Sequence, residues 1–157
     1  MKFCRRSLLL WLALILISCD ARDESAPAPG NASTSADWAK KATEHPKGFR
    51  YTVIRAGEGA SPTLGSRVVF HWTCTANGKE VADTRRINRE KVSTLSHLEL
   101  IPGVVEALLS MKPGERWKIL LPSQLGYGQA GYPDLVPQDT ELEIDLELIR
   151  FQPAGSL

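Results

Sequence analysis

Residues 140–151, TELEIDLELIRF, alternate apolar and acidic side chains with a period of two. In an extended chain, Leu142, Ile144, Leu146 and Leu148 lie on one face, and the acidic residues between them lie on the other. An antiparallel sheet with one buried and one solvated face has this pattern. The stretch therefore predicts a long strand that contributes to a hydrophobic core and has a solvated acidic face.

Upstream segments show the same alternation and predict further strands. They are residues 49–53, 67–75 and 115–121. Asn77-Gly78 is a strong hairpin signal, because both central positions of a type I′ turn need positive φ, and it predicts a return strand over 80–84. Residues 85–96 are rich in arginine without a clear period, which is typical of a loop or a ragged exposed strand.

One amphipathic helix is predicted over residues 101–111. Pro102 suits its first turn, and Pro113-Gly114 follows its end. Its apolar residues recur at helical spacing, at Val104, Ala107, Leu108 and Met111. One helix can cover only one face of a sheet, so the sequence predicts an α+β fold in which a twisted antiparallel sheet of about five strands wraps against one short helix.

The first residues have the pattern of a secretory signal. Basic residues precede an apolar run over 8–17, which is shorter than the roughly 20 residues that span a bilayer. Leu16-Ile17-Ser18-Cys19 resembles the lipobox of bacterial lipoproteins. We therefore expect a signal peptide over 1–18, a lipidated Cys19, and a domain in the periplasm anchored to the inner or the outer membrane. The alternative is a plain secretory signal with an incidental cysteine.

Residues 20–36, DARDESAPAPGNASTSA, are rich in small residues, proline and serine. Such a segment buries too little apolar surface to offset its ordering entropy. The predicted organisation is a lipidated cysteine and flexible linker over 19–47, a folded domain over 48–152 and a tail over 153–157. Residues 35–42 have the composition of one or two helical turns.

Composition excludes several classes of function. Removal of residues 1–18 takes away three basic residues and no acidic one, so the formal net charge falls from +1 to −2 and gives no nucleic-acid footprint. The chain has three histidines without metal spacing, and it has no nucleophile elbow and no P-loop. With Cys4 removed and Cys19 lipidated, Cys74 has no partner for a disulfide and is interpreted as a small buried apolar residue.

Four motifs carry a resemblance to a known family. Residues 65–73, GSRVVFHWT, resemble V-x-V-H-Y-T-G, and residues 101–108, IPGVVEAL, resemble V-I-x-G-W-x-E-A-L. Residues 121–131, LPSQLGYGQAG, are similar to I-P-x-x-L-A-Y-G-x-x-G, and 142–148, LEIDLEL, to L-x-F-x-V-E-L-L. On these motifs, residues 48–151 are identified as a member of the FKBP-type peptidyl-prolyl cis-trans isomerases.

The resemblance implies an isomerase that assists the folding of exported proteins and needs no cofactor and no metal. Its substrates would be proline-containing unfolded or nascent polypeptides, bound in an apolar pocket. In the family, the backbone at the position of Ile101 and the hydroxyl at the position of Tyr127 hydrogen-bond the substrate. The residues implied for the pocket are Trp72, Val81, Asp83, Leu100, Ile101, Val104, Tyr127, Tyr132 and Ile144.

The chain departs from the family at several of these positions. Val104 replaces a tryptophan of the pocket floor, and Trp72 replaces a tyrosine. The family aspartate falls on Ala82, and Asp83 is one residue away. Two alternatives therefore stay open, a non-catalytic peptide-binding or chaperone module tethered to the membrane and a subunit of a membrane complex. No dimerisation segment of useful length is present, so we expect a monomer.

Overall fold

The computed structural model describes residues 35–156. The predicted signal peptide, Cys19 and the linker up to residue 34 lie outside the described residues. The elements, in chain order, are α1 (Ser35–Lys40), β1 (Thr43–Glu44), β2 (Arg50–Arg55), β3 (Arg67–Ala76), β4 (Lys79–Asp83), β5 (Lys91–Thr94), α2 (Pro102–Ser110), β6 (Arg116–Leu121) and β7 (Leu142–Gln152). Two 3₁₀ turns, Ser123–Leu125 and Gly128–Ala130, lie between β6 and β7.

The strands form a seven-stranded antiparallel sheet in the order β1-β2-β6-β7-β3-β4, with β5 paired to β3. The predicted fold class is confirmed, since an antiparallel sheet packs against one helix, α2. The two strands beyond the predicted number are short: β1 has two residues and β5 has four. No helix between residues 35 and 156 is long and apolar enough to cross a membrane.

The core lies between the sheet and α2. Leu142, Ile144, Leu146 and Leu148 of β7 are all fully buried, as their alternation predicts. Helix α2 adds a set of buried side chains to the same core, at Val104, Val105, Ala107 and Leu108. Cys74 is also fully buried, and burial raises the pKa of its thiol to about 11, so the thiol stays protonated and unreactive at neutral pH.

The acidic face of β7 is paired with arginines. Arg116 donates two hydrogen bonds of 2.8 Å to the carboxylate of Asp145, one from Nε and one from Nη2. Arg85 lies 3.2 Å from Asp145 and 3.0 Å from Glu147, and Arg55 also donates to Glu147. These pairs link β2, β6, β7 and the segment after β4 across the outer face of the sheet.

Helix α1 packs on that outer face, opposite α2. Lys118 lies on the outer face, because its neighbours Trp117 and Ile119 on β6 point into the core. Its ammonium lies 4.8 Å from the centre of the Trp38 ring of α1. A guanidinium nitrogen of Arg50 donates to the carbonyl oxygen of Ala39 at 3.2 Å. The chain therefore enters the domain on the side of the sheet that is turned away from α2.

Glu147→Gln should reduce stability at neutral pH and not in acid. Burial by itself raises the pKa of Glu147, but hydrogen bonds from Arg85 and Arg55 outweigh it and lower the pKa overall. A depressed carboxyl pKa adds stability above the unfolded pKa of about 4.3, and that stability is lost as the pH falls through the folded pKa. We expect a loss of about 1 kcal/mol in urea unfolding at pH 7, since the pair is partly solvated.

Glu141→Gln is the matched control, because Glu141 is exposed and forms no ion pair within residues 35–156. It should change the free energy of unfolding little at either pH. A Glu147→Gln deficit that is as large at pH 3 as at pH 7 would assign the effect to packing and not to charge.

Candidate functional site

A cavity of about 520 Å³ opens between β3, the start of α2 and the loop that follows β6. Strand β3 supplies Phe70 and Trp72 to one wall. The segment that leads into α2 and the first turn of that helix supply residues 97–102 and Val104. The loop after β6 supplies Tyr127 and Tyr132, whose rings lie 5.4 Å apart between centroids.

Most of the residues predicted for the pocket line this cavity. They are Trp72, Leu100, Ile101, Val104, Tyr127 and Tyr132. They come from distant parts of the sequence, and the sheet and α2 bring them together. The floor formed by Val104 is almost fully buried, at 1% exposure.

Ile144 and Val81 do not line the cavity. Ile144 sits in the middle of β7 between Cys74 of β3 and Ile119 of β6, and it is fully buried in the core. Val81 is the extra residue of a β-bulge, because Glu80 pairs with Thr75 while Ala82 pairs with Cys74. Its partly buried side chain packs against the core.

Asp83 also lies away from the cavity. It pairs with Thr73, whose side chain is on the outer face of the sheet. Its carboxylate accepts hydrogen bonds from the backbone N–H groups of Arg85 at 2.8 Å and Arg86 at 3.0 Å. The hydrogen bond from Arg86 is the largest cause of a lowered pKa. Asp83 thus stabilises the turn after β4 and does not replace the family aspartate in the pocket.

Phe70 is a pocket residue that the family motifs do not reveal. Phe70 lies two residues before Trp72 on β3, and side chains two residues apart share a face, so the period of the strand was the signal for it. Residues 97–99, which form the rim of the cavity, are not predicted by the motifs either. Leu98 is the most exposed of them, at 99% exposure. Glu99 holds this rim against β5, because its carboxylate accepts hydrogen bonds from the Ser93 hydroxyl at 2.6 Å and from the Thr94 N–H at 2.8 Å.

Thr84 holds the Trp72 wall in place. The Trp72 N–H donates to the Thr84 hydroxyl at 2.9 Å, and the Trp72 carbonyl accepts from the Thr84 N–H at 3.0 Å. The side chain of Thr84 is buried, at 8% exposure. These bonds continue the pairing of β3 with the chain just beyond the end of β4, and they set the backbone that carries the indole ring.

Two hydrogen-bond donors of residues that line the cavity have no partner in the described part of the chain. Within residues 35–156, neither the Tyr127 hydroxyl nor the Ile101 N–H takes part in a hydrogen bond. Burial is the largest cause of a raised pKa for Tyr127, and the nearby Cys74 and Tyr132 raise it further. The phenol therefore stays protonated at neutral pH, and both groups can donate to carbonyl oxygens of a bound chain.

The arrangement suits an extended polypeptide with an apolar side chain. Aromatic and aliphatic side chains form much of the lining, and Lys91, His97 and Glu99 add polar surface to it. The two free donors, the Tyr127 hydroxyl and the Ile101 N–H, match the carbonyl groups of a peptide backbone. No cluster of three or more histidine, cysteine, aspartate or glutamate side chains in the described part of the chain is placed to hold a metal ion. What the site offers is a partly apolar surface and two donors without a hydrogen-bond partner in the described part of the chain.

Known proteins resemble this chain in sequence and in fold. The family described as FKBP-type peptidyl-prolyl cis-trans isomerase matches residues 58–149. A peptidyl-prolyl cis-trans isomerase of Schizosaccharomyces pombe is 34% identical over 104 residues, which are 65% of this chain and 93% of that protein. The peptidyl-prolyl cis-trans isomerase Mip of Coxiella burnetii is 35% identical over 102 residues, 65% of this chain and 44% of Mip.

The crystal structure of FkpA from Escherichia coli has a TM-score of 0.68 to this chain at 29% identity. The match covers 80% of this chain and 61% of FkpA. The chain spans about half the length of several of the curated relatives it matches.

Proposed function

The chain belongs to the FKBP family of peptidyl-prolyl cis-trans isomerases, and from that premise we propose that it catalyses the cis-trans isomerisation of X-Pro bonds in polypeptides. The observation that carries the proposal is the convergence of Trp72, Ile101 and Tyr127 on one cavity, where the Tyr127 hydroxyl and the Ile101 N–H have no hydrogen-bond partner within residues 35–156. The proposed substrates are proline-containing segments of unfolded or nascent exported proteins.

The chemistry needs no acid, base or nucleophile. The barrier to rotation of a peptide bond is about 18–20 kcal/mol, while the cis and trans forms of an X-Pro bond differ by only about 0.5–1 kcal/mol. A twisted amide loses resonance and is less polar than a planar one, so a cavity that removes water favours the transition state over the ground state. Tyr127 and the Ile101 N–H would hold the flanking carbonyl groups while the bond rotates.

We further propose that the domain is a monomer held at the cell envelope by lipid on Cys19. The lipobox-like sequence supports the anchor. The position of α1 is compatible with it, because the chain enters the domain on the outer face of the sheet, away from the cavity beside α2.

The test is a protease-free isomerisation assay on the chain, with short X-Pro peptides and with Tyr127→Phe alongside. Loss of one neutral hydrogen bond of about 0.5–1.5 kcal/mol predicts a 2- to 12-fold fall in kcat/KM. Tyr132→Phe is the matched control, since its ring lines the same cavity but its position is 48% exposed, and it should change kcat/KM less than twofold.

Folded protein without acceleration above the spontaneous rate would refute the isomerase. Suppression of client aggregation by that inactive protein would instead identify a tethered peptide-binding module. Equal loss of activity in the two tyrosine variants would remove the special role of the Tyr127 hydroxyl.

A further inference from the structure

A second cavity, of about 530 Å³, adjoins the first. It lies between the tip of the β3–β4 hairpin and the loop after β6. The hairpin contributes Ala76, Asn77 and Lys79, and the loop contributes Ala130 and residues 132–138. Tyr132 lines both cavities, so a chain that leaves the first cavity past this ring enters the second.

The loop wall of the second cavity is held by its own backbone. Tyr132 and Val136 exchange two N–H to carbonyl hydrogen bonds of 2.8 Å, and the Asp139 N–H donates to the Gly128 carbonyl at 3.0 Å. Gly131 has a φ of +64°, and a Cβ added there would lie 2.5 Å from the Val136 carbonyl oxygen. The glycine lets the chain turn this tightly, and the wall is in place before any ligand arrives.

The lining of the second cavity is mostly apolar. Tyr132 and Leu135 are among the exposed large apolar side chains of the domain, at 48% and 40%. One cation, Lys79, and one anion, Asp134, lie on its walls, so the cavity has no net charge to select a charged group. These features match an apolar or aromatic side chain carried on a polypeptide backbone.

We propose that the second cavity binds an apolar or aromatic side chain of the substrate that flanks the isomerised proline. This inference rests on the proposed function of the first cavity as the proline site. An extended chain advances about 3.3 Å per residue, so passage across one tyrosine ring takes roughly two or three residues. The second cavity therefore selects substrates by a residue two or three positions from the proline.

Dye-labelled peptides test this inference, with binding and isomerisation measured separately. A short X-Pro peptide is compared with two longer ones that carry phenylalanine at the second and third positions before the proline or at the second and third positions after it, and with matched peptides that carry serine there. One phenylalanine peptide should bind the full chain about fivefold more tightly than its serine partner, from burial of the ring. Leu135→Ser should remove that difference and leave binding of the short peptide unchanged, because Leu135 lines only the second cavity.

Leu64→Ser is the control, since Leu64 is 54% exposed and lines neither cavity. Equal affinities for the phenylalanine and serine peptides, or no binding of any peptide, would overturn the inference. So would a Leu135→Ser variant of unchanged melting temperature that weakens the short peptide as much as the long ones. Binding that depends on Leu135 without any isomerisation would refute the proposed enzyme activity and leave the second cavity as a peptide site.

Discussion

Gly103→Ala will destabilise the domain by about 3 kcal/mol, at the upper end of the range for overpacked cores. Gly103 is buried in the first turn of α2, where the helix crosses β6. A Cβ at this position would overlap three side-chain carbon atoms of Leu121, which is itself fully buried. Either α2 or the leucine must move. Urea unfolding measures the loss directly, and the melting temperature should fall by roughly 10 °C or more.

A double-mutant cycle identifies the cause. Leu121→Ala alone leaves a cavity and should cost about 2–5 kcal/mol, but it also removes the atoms that the new Cβ would meet. The double variant should therefore be more stable than the sum of the two single losses predicts, by at least about 1 kcal/mol. Additive losses would contradict the steric explanation and point to the helix backbone instead.

Local periodicity was enough to predict the long strands and helix α2. The alternation in β7 and the helical spacing in α2 depend only on neighbouring residues, and both match the buried positions of the structure. The sequence of β5 predicts either a loop or a ragged exposed strand, because its residues have no alternation of their own. Lys91–Thr94 is a strand because it pairs with Arg67–Phe70 of β3, and the sequence of β5 does not reveal that partner.

The family motifs predict those cavity residues that lie within the motifs themselves. They do not predict positions that depend on the pairing register of β3 with β4. Trp72, Ile101 and Tyr127 lie within matched motifs and reach the cavity. Asp83 does not, because the bulge at Val81 sets Ala82 opposite Cys74 and turns Asp83 to the outer face. A shift of one residue exchanges the two faces of a strand, and a bulge is a feature of the pair and not of either strand alone.

Val104→Trp should raise kcat/KM for short X-Pro peptides about tenfold. Val104 lies on the floor of the first cavity, at the position where the family resemblance places a tryptophan. An aromatic ring offers 150–250 Å² of surface, and contact of about 50 Å² of it with the substrate at about 25 cal/mol per Å² gives about 1.3 kcal/mol. That gain corresponds to about a tenfold tighter complex. Because Val104 is only 1% exposed, the ring has to project into the adjoining cavity of about 520 Å³, and an unchanged melting temperature checks that the fold is retained.

The gain should appear in KM and leave kcat nearly unchanged, because contacts made equally in the ground state and the transition state lower KM without accelerating rotation. Val105→Trp is the matched control. Val105 is the next residue of α2, fully buried in the core and absent from the cavity walls, so a ring there should destabilise the domain and bring no gain in activity. A folded Val104→Trp variant with unchanged or lower kcat/KM would show that the open floor already fits the substrate, and that the valine is an adaptation of this site.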